Sequence, residues 1–134
     1  KGRLLISGAH FASDMKSDSE KSFAKKQLHC TYRCDHASKN GSVRVNNRQL
    51  EAGTYLFNIS PNDERIHTEN PECILPANGG VGVATYGDTN MNAAVAYNGI
   101  EEGKGKTLYW AFMLESSKDF DKLLGKSIEW LMKK

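Results

Sequence analysis

The sequence predicts an α/β domain whose open central sheet, mostly parallel or mixed, is flanked by helices in three layers. Three observations carry this expectation. A strand pattern followed by a helix pattern stands at each end of the chain, and short strand patterns fill the space between. The runs Leu4–Ser7 and Leu108–Phe112 have the continuous apolar character of buried strands. They are therefore expected to be neighbours at the centre of the sheet.

Each element has its own signal. The first strand runs from Arg3 to Ser7. Ser17-Asp18-Ser19-Glu20 fits a capping box, in which the serine hydroxyl and the glutamate carboxylate satisfy backbone amides at a helix start. Phe23, Ala24, Gln27 and Leu28 then share one helical face, and the helix should end near His29 or Cys30. Asn40-Gly41 and Asn46-Asn47 are turn residues around the short strands Val43–Val45 and Tyr55–Ile59. The next stretch, "SPNDERIHTENPECILPANGG", reads as loop, because its three prolines argue against a central strand. Gly82–Tyr86, Asn92–Tyr97 and Thr107–Phe112 are the remaining strands, with Asn98-Gly99 as a turn. Phe120, Leu123, Leu124, Ile128 and Leu131 form the apolar stripe of a final helix, capped by Ser116 or Ser117.

Composition bounds the function. A chain of 134 residues is one domain. It starts two residues before a strand, which reads as a piece of a longer protein. A net charge of +2 with scattered lysines does not describe a nucleic-acid surface. No apolar run reaches the roughly 20 residues that span a bilayer. No signal peptide pattern is present. Three cysteines, Cys30, Cys34 and Cys73, cannot all pair within one chain. One bridge plus a free thiol and three buried thiols both remain open. A Cys30–Cys34 bridge is awkward in a helix and feasible once the helix has ended.

Several residues are candidates for chemistry. Ser7 ends a strand, but a nucleophile elbow needs Gly-x-Ser-x-Gly and here the first glycine is absent. A hydroxyl bonded to backbone is favoured over a nucleophile, with Gly8 giving the chain freedom to turn. "HCTYRCDH", residues 29–36, has Cys30 and Cys34 at a spacing zinc accepts, but His29 and His36 sit too close to act as the distal pair and His67 or Cys73 would have to substitute, so no metal is expected. Asp14, Asp35, Asp88 and Glu115 are the acidic candidates. Asp14 and Glu115 each follow an expected central strand, so they could meet across its carboxyl end, where open α/β sheets bind ligands. Ser7, His10 and Asp14 would form one lip of that site and Glu115 the other. Helix-start electrostatics explains both acids more simply. "YGDTNMN", residues 86–92, could hold a cation or sugar hydroxyls, and is also ordinary turn composition.

Five segments carry a resemblance: "LLISGAHFASDM", "YRCDHAS", "NPECILP", "AAVAYNG" and "TLYWAFMLESSKDFDKLLGKSIEWLM". In this order they are similar to C-terminal domains of large secreted proteins of Bacteroides-type bacteria, labelled xanthan lyase or golvesin-like. Phe112-Met113-Leu114-Glu115 departs from the Gly-Phe-Pro-Phe-Glu-like segment found there. The resemblance implies a degenerate class I glutamine-amidotransferase-like, flavodoxin-like fold. It does not bring amidotransferase chemistry, because no Gly-x-Cys-x-Gly elbow is present.

The expected function is a non-catalytic accessory domain of a secreted, periplasmic or surface-attached polysaccharide-processing protein. It would bind glycan weakly or position other domains of its parent chain, without a cofactor. Ser7, His10, Asp14, Tyr32, Arg33, Asp35 and His36 are the candidate ligand-facing residues. The alternative is a lyase- or hydrolase-like enzyme using Asp14, His36 and Glu115. Convergence of those three side chains would mark an enzyme. An exposed aromatic among Tyr32, Tyr86, Tyr97 and Trp110 would mark a binding module.

Overall fold

A computed structural model describes residues 2–60 and 65–133. Eight strands are described: β1 Arg3–Ser7, β2 Cys30–Cys34, β3 Ser42–Val45, β4 Gly53–Leu56, β5 Cys73–Pro76, β6 Val81–Tyr86, β7 Asn92–Asn98 and β8 Lys106–Trp110. The α-helices are α1, Asp18–Phe23, and α2, Phe120–Met132. Six strands form one curled sheet in the order β1-β8-β7-β6-β3-β4, and β2 pairs with β5 in a second sheet.

The expected mostly parallel α/β sheet is not what forms. Strands dominate, and among those described β1 and β8 are the parallel pair, every other pair being antiparallel. The reason lies in the connections. A parallel neighbour needs a crossover of about a dozen residues or more, usually helical. Here residues 87–91 join β6 to β7, and residues 99–105 join β7 to β8. Such short links permit antiparallel neighbours. The flavodoxin-like and amidotransferase-like arrangement implied by the resemblance is therefore corrected to a β-rich one. β1 and β8 are neighbours, as expected, but β1 is an edge strand and not central.

The core explains why β8 looks apolar throughout. Leu108 and Trp110 face a layer shared with Leu123, Trp130 and Leu131 of α2. Tyr109 and Ala111 face the opposite layer, with Leu28, Cys30 and Ile74. β8 is thus covered by α2 on one face, and by β2, β5 and the chain around Leu28 on the other.

Several local expectations need adjustment. The capping box at Ser17 and Glu20 is present, but α1 runs on into a π-helical turn, Ala24–Leu28. His29 then ends it in the left-handed conformation, φ 58°. "NPECILP" is not all loop. It contains β5, which tolerates Pro76 because the proline sits at the strand's end in a two-stranded sheet. Pro61, another proline of that stretch, lies outside the described residues. Neither serine caps α2, whose N-cap is Asp119. Ser117 Oγ accepts the Asp119 N–H at 3.1 Å just ahead of the helix and donates to the Leu56 carbonyl at 2.7 Å, tying α2's start to the far edge strand. The inward stripe includes Ser127 and Trp130, while Ile128 is exposed.

The last carbonyls of α2 have no partner within the helix. Lys106 supplies one. It is 2% exposed, and its Nζ donates to the carbonyls of Trp130 at 2.7 Å and Lys133 at 3.0 Å. Arg3 Nε donates to the Leu131 carbonyl. Two cations from neighbouring strands thus close the helix's negative end. Lys106→Met keeps most of the stem and removes these hydrogen bonds. It should cost about 1–3 kcal/mol in a urea unfolding experiment, with α2 losing helical signal first.

Candidate functional site

The loop after β1 begins with backbone bookkeeping by Ser7. Its Oγ donates to the Phe112 carbonyl at 3.1 Å and accepts the Leu114 N–H at 2.8 Å, so it ties two chain segments together and is not poised as a nucleophile. The turn is not made at Gly8, whose φ is not left-handed, but at His10, φ 69°. A non-glycine residue there is strained, and the surroundings hold it. The Asp14 N–H donates to the His10 carbonyl at 3.0 Å. Phe11 sits edge-on to Tyr109, with ring centroids 5.7 Å apart.

This conformation sets the His10 imidazole over a buried acid. Nδ1 lies 3.8 Å from Glu72 Oε2, and Glu72 is 0% exposed. Among the described residues neither carboxyl oxygen of Glu72 has a hydrogen-bond partner. Its main chain is fully used: the N–H donates to Ala111 and the carbonyl accepts the Tyr86 hydroxyl at 2.6 Å. A buried carboxyl group without a hydrogen-bond partner is costly, and the His10 imidazole is the polar side chain nearest to it. Sequence reasoning did not single out Glu72. Its one signal was an acid inside the otherwise apolar "NPECILP".

Beside this pair the same loop, α1 and β2 enclose a cleft of about 480 Å³. Met15, Lys16, Lys21, Lys25, Thr31 and Tyr32 are among its lining residues. Lys21 and Lys25 are four residues apart on one helical face. None of the three lysines is in an ion pair among the described residues. Glu20, the nearest acid in sequence to Lys21, is spent on the capping box, where the Ser17 bonds lower its pKa. Tyr32 is 42% exposed on β2, and its hydroxyl donates a hydrogen bond to Asp35. That bond pushes the phenol up to about 12.

The other sequence candidates disperse. Asp14 is exposed beside this cleft, between Ser13 and Met15. Glu115 lines a different cleft of about 700 Å³, with Asn58, Ser60 and Lys118. His36, φ 52°, is exposed and has its N–H bound by Asn70 Oδ1 at 2.6 Å. No hydrogen bond or ion pair joins Asp14, His36 and Glu115 among the described residues. Arg33 is exposed on β2. In "HCTYRCDH", His29 is stacked on Tyr97 and bonded to the Asn78 carbonyl, while Cys30 and Cys34 pack into opposite core layers. Tyr86, Tyr97 and Trp110 are buried, which leaves Tyr32 as the exposed aromatic of the four.

Asp88 is a loop tether. Its carboxylate accepts from Ser38 Oγ at 2.9 Å and the Lys39 N–H at 2.7 Å. Burial opposes ionisation there, but these bonds outweigh it and hold the pKa below the ordinary value. A depressed folded pKa stabilises the fold above the unfolded value of about 3.9, and that share is lost as pH falls through the folded value. The stability gap between the native chain and Asp88→Asn should therefore be constant near neutral pH and close in acid below about pH 4. Separately, Asp35→Asn should bring the Tyr32 phenol down from about 12 towards 10, read as one phenolate titrating earlier in the absorbance–pH curve.

No protein-family model matches the chain, and no curated protein does. Among solved structures it is similar to one described as "mmIFT52 N-terminal domain", with a TM-score of 0.66 at 15% sequence identity. The match covers 99% of this chain and 66% of that one. At this identity the likeness concerns the fold, and it accords with the β-rich architecture and not with a flavodoxin-like one.

Proposed function

We propose that this domain is a non-catalytic accessory module that binds acidic polysaccharide weakly within a secreted, periplasmic or surface-attached polysaccharide-processing protein. One observation carries the reading: an exposed Tyr32 shares a cleft with Lys16, Lys21 and Lys25, none of them ion-paired among the described residues. A phenol face offers an apolar platform with a polar rim for a sugar ring. Ammonium groups around it suit uronic-acid carboxylates. Surface charges in water contribute little each, which makes the binding weak and salt-sensitive. The dispersal of Asp14, His36 and Glu115 supports binding over catalysis. No helix among the described residues is long and apolar enough to cross a membrane. The secreted context and the neighbouring domains of a parent chain rest on the sequence resemblance.

A second reading, a lyase- or hydrolase-like enzyme, is favoured by a different observation. His10 and buried Glu72 stand together beyond the carboxyl ends of β1 and β8. A buried acid beside an exposed imidazole is an arrangement suited to general-base work.

The test is a calorimetric and thermal-shift titration with oligogalacturonate and a neutral oligosaccharide of equal length. The expected result is a rise in Tm with the acidic glycan alone, weakened by salt. Tyr32→Ala and the double change Lys21→Ala/Lys25→Ala should each weaken binding about tenfold, roughly 1.4 kcal/mol. No response at millimolar acidic glycan overturns the proposal. Shortening of the glycan during incubation, abolished by His10→Ala, would favour the second reading.

A further inference from the structure

The two-stranded sheet holds two of the three cysteines face to face. Cys34, at the end of β2, is in register with Cys73, at the start of β5, across an antiparallel ladder. Facing residues in such a ladder have Cα atoms about 4.5–5.5 Å apart, inside the range of about 4.4–6.8 Å that a disulfide spans. Their side chains also share a face. Cys73 belongs to the core layer that contains Trp110 and Phe112, and Cys34 packs against that layer. Cys30 lies in the opposite layer, with Ile74 and Tyr109.

An irregularity in β2 between Tyr32 and Cys34 creates this arrangement. Under strict alternation Cys34 would share the face of Cys30 and Tyr32 and stand opposite Glu72. The extra residue carries it to the other face and opposite Cys73. Cys30 does not compete for Cys34, because four residues of extended strand separate them by about 13 Å. Access is one-sided. Cys34 is half-buried, with its thiol 3.5 Å from the sulfur of the exposed Met91, whereas Cys73 is buried. Cys30, Cys34 and Cys73 are all free cysteines in this structure.

We propose that Cys34 and Cys73 are a cross-strand redox pair that a low-molecular-weight disulfide oxidises to a bond closing β2 onto β5. Cys34 is the entry point. Its thiolate attacks one sulfur of the oxidant, forms a mixed disulfide and expels a thiolate, which takes up the proton Cys34 released. The Cys73 thiolate then attacks the Cys34 sulfur and expels the second thiolate, which takes up the proton of Cys73. Two protein thiols are oxidised and one external disulfide is reduced to two thiols. Cys73 is enclosed, so the oxidant reaches Cys34 first, and burial with the adjoining Cys34 sulfur also pushes the Cys73 thiol up. Burial alone pushes Cys30 up to about 12 and leaves it inert. The bond would staple the strand that carries Tyr32, and it stands whether or not the cleft binds glycan.

The experiment treats the reduced chain with oxidised glutathione, quenches in acid and maps peptides without reduction. The expected product joins the Cys34 and Cys73 peptides, lowers the chain mass by two hydrogens and raises Tm by roughly 5–15 °C. Cys73→Ser should stop at a stable glutathione adduct on Cys34, and Cys34→Ser should form neither adduct nor bridge. A bridge involving Cys30, a persistent Cys34 adduct in the unaltered chain, or three free thiols after treatment overturns the proposal. The decisive map uses the unaltered chain, so a variant that fails to fold leaves the outcome decided.

Discussion

The architecture depends on β8 being buried on both faces. Trp110 and Tyr109 are neighbours in sequence and point to opposite layers, each completely enclosed. One layer needs α2, and the other needs β2, β5 and the π-helical turn. Without the first cover Trp110 would lose the Ser127 hydroxyl that accepts its indole N–H at 3.0 Å. Without the second, Tyr109 and Ile74 would be exposed to water. Burying side chains of this size is the main driving force available to a domain of this length.

That constraint also builds the site. The loop after β1 must cross over the Tyr109 face, and Phe11 packs on that ring. The crossing requires a left-handed residue, which falls on His10 and places its imidazole beside Glu72. From there the chain turns into the capping box, and the first helical face presents Lys21 and Lys25 beside Tyr32. The cleft is therefore a consequence of how the second core layer is closed.

Local chemistry was legible wherever neighbours in sequence create the structure. The Ser17 capping box, the first strand and the three strands near the C-terminus follow from hydrogen-bonding side chains and apolar runs a few residues long. Stretches whose meaning depends on distant partners were not. "NPECILP" looked like loop because β5 is stabilised by β2, some forty residues away. Ile128 looked inward because the stripe is periodic, yet the face that α2 buries carries Leu123, Ser127, Trp130 and Leu131, with Ser127 meeting Trp110. β1 and β8 do run parallel with one carboxyl edge, yet Asp14 lies exposed beside one cleft, Glu115 lines another and His36 follows β2 in the separate two-stranded sheet, so the three do not meet.

By itself the sequence determined the segments of β1, β3, β6, β7 and β8, the start of α1, the double-sided burial of Leu108–Phe112 and the lack of a Gly-x-Ser-x-Gly motif at Ser7. These depend on interactions within a turn or a strand. Tertiary structure alone decided the strand order, the edge position of β1, the burial of Glu72 under His10 and the facing of Cys34 and Cys73. Each depends on which distant segments share a core layer. A one-residue irregularity in β2 is enough to move a side chain from one layer to the other, and no local propensity records it.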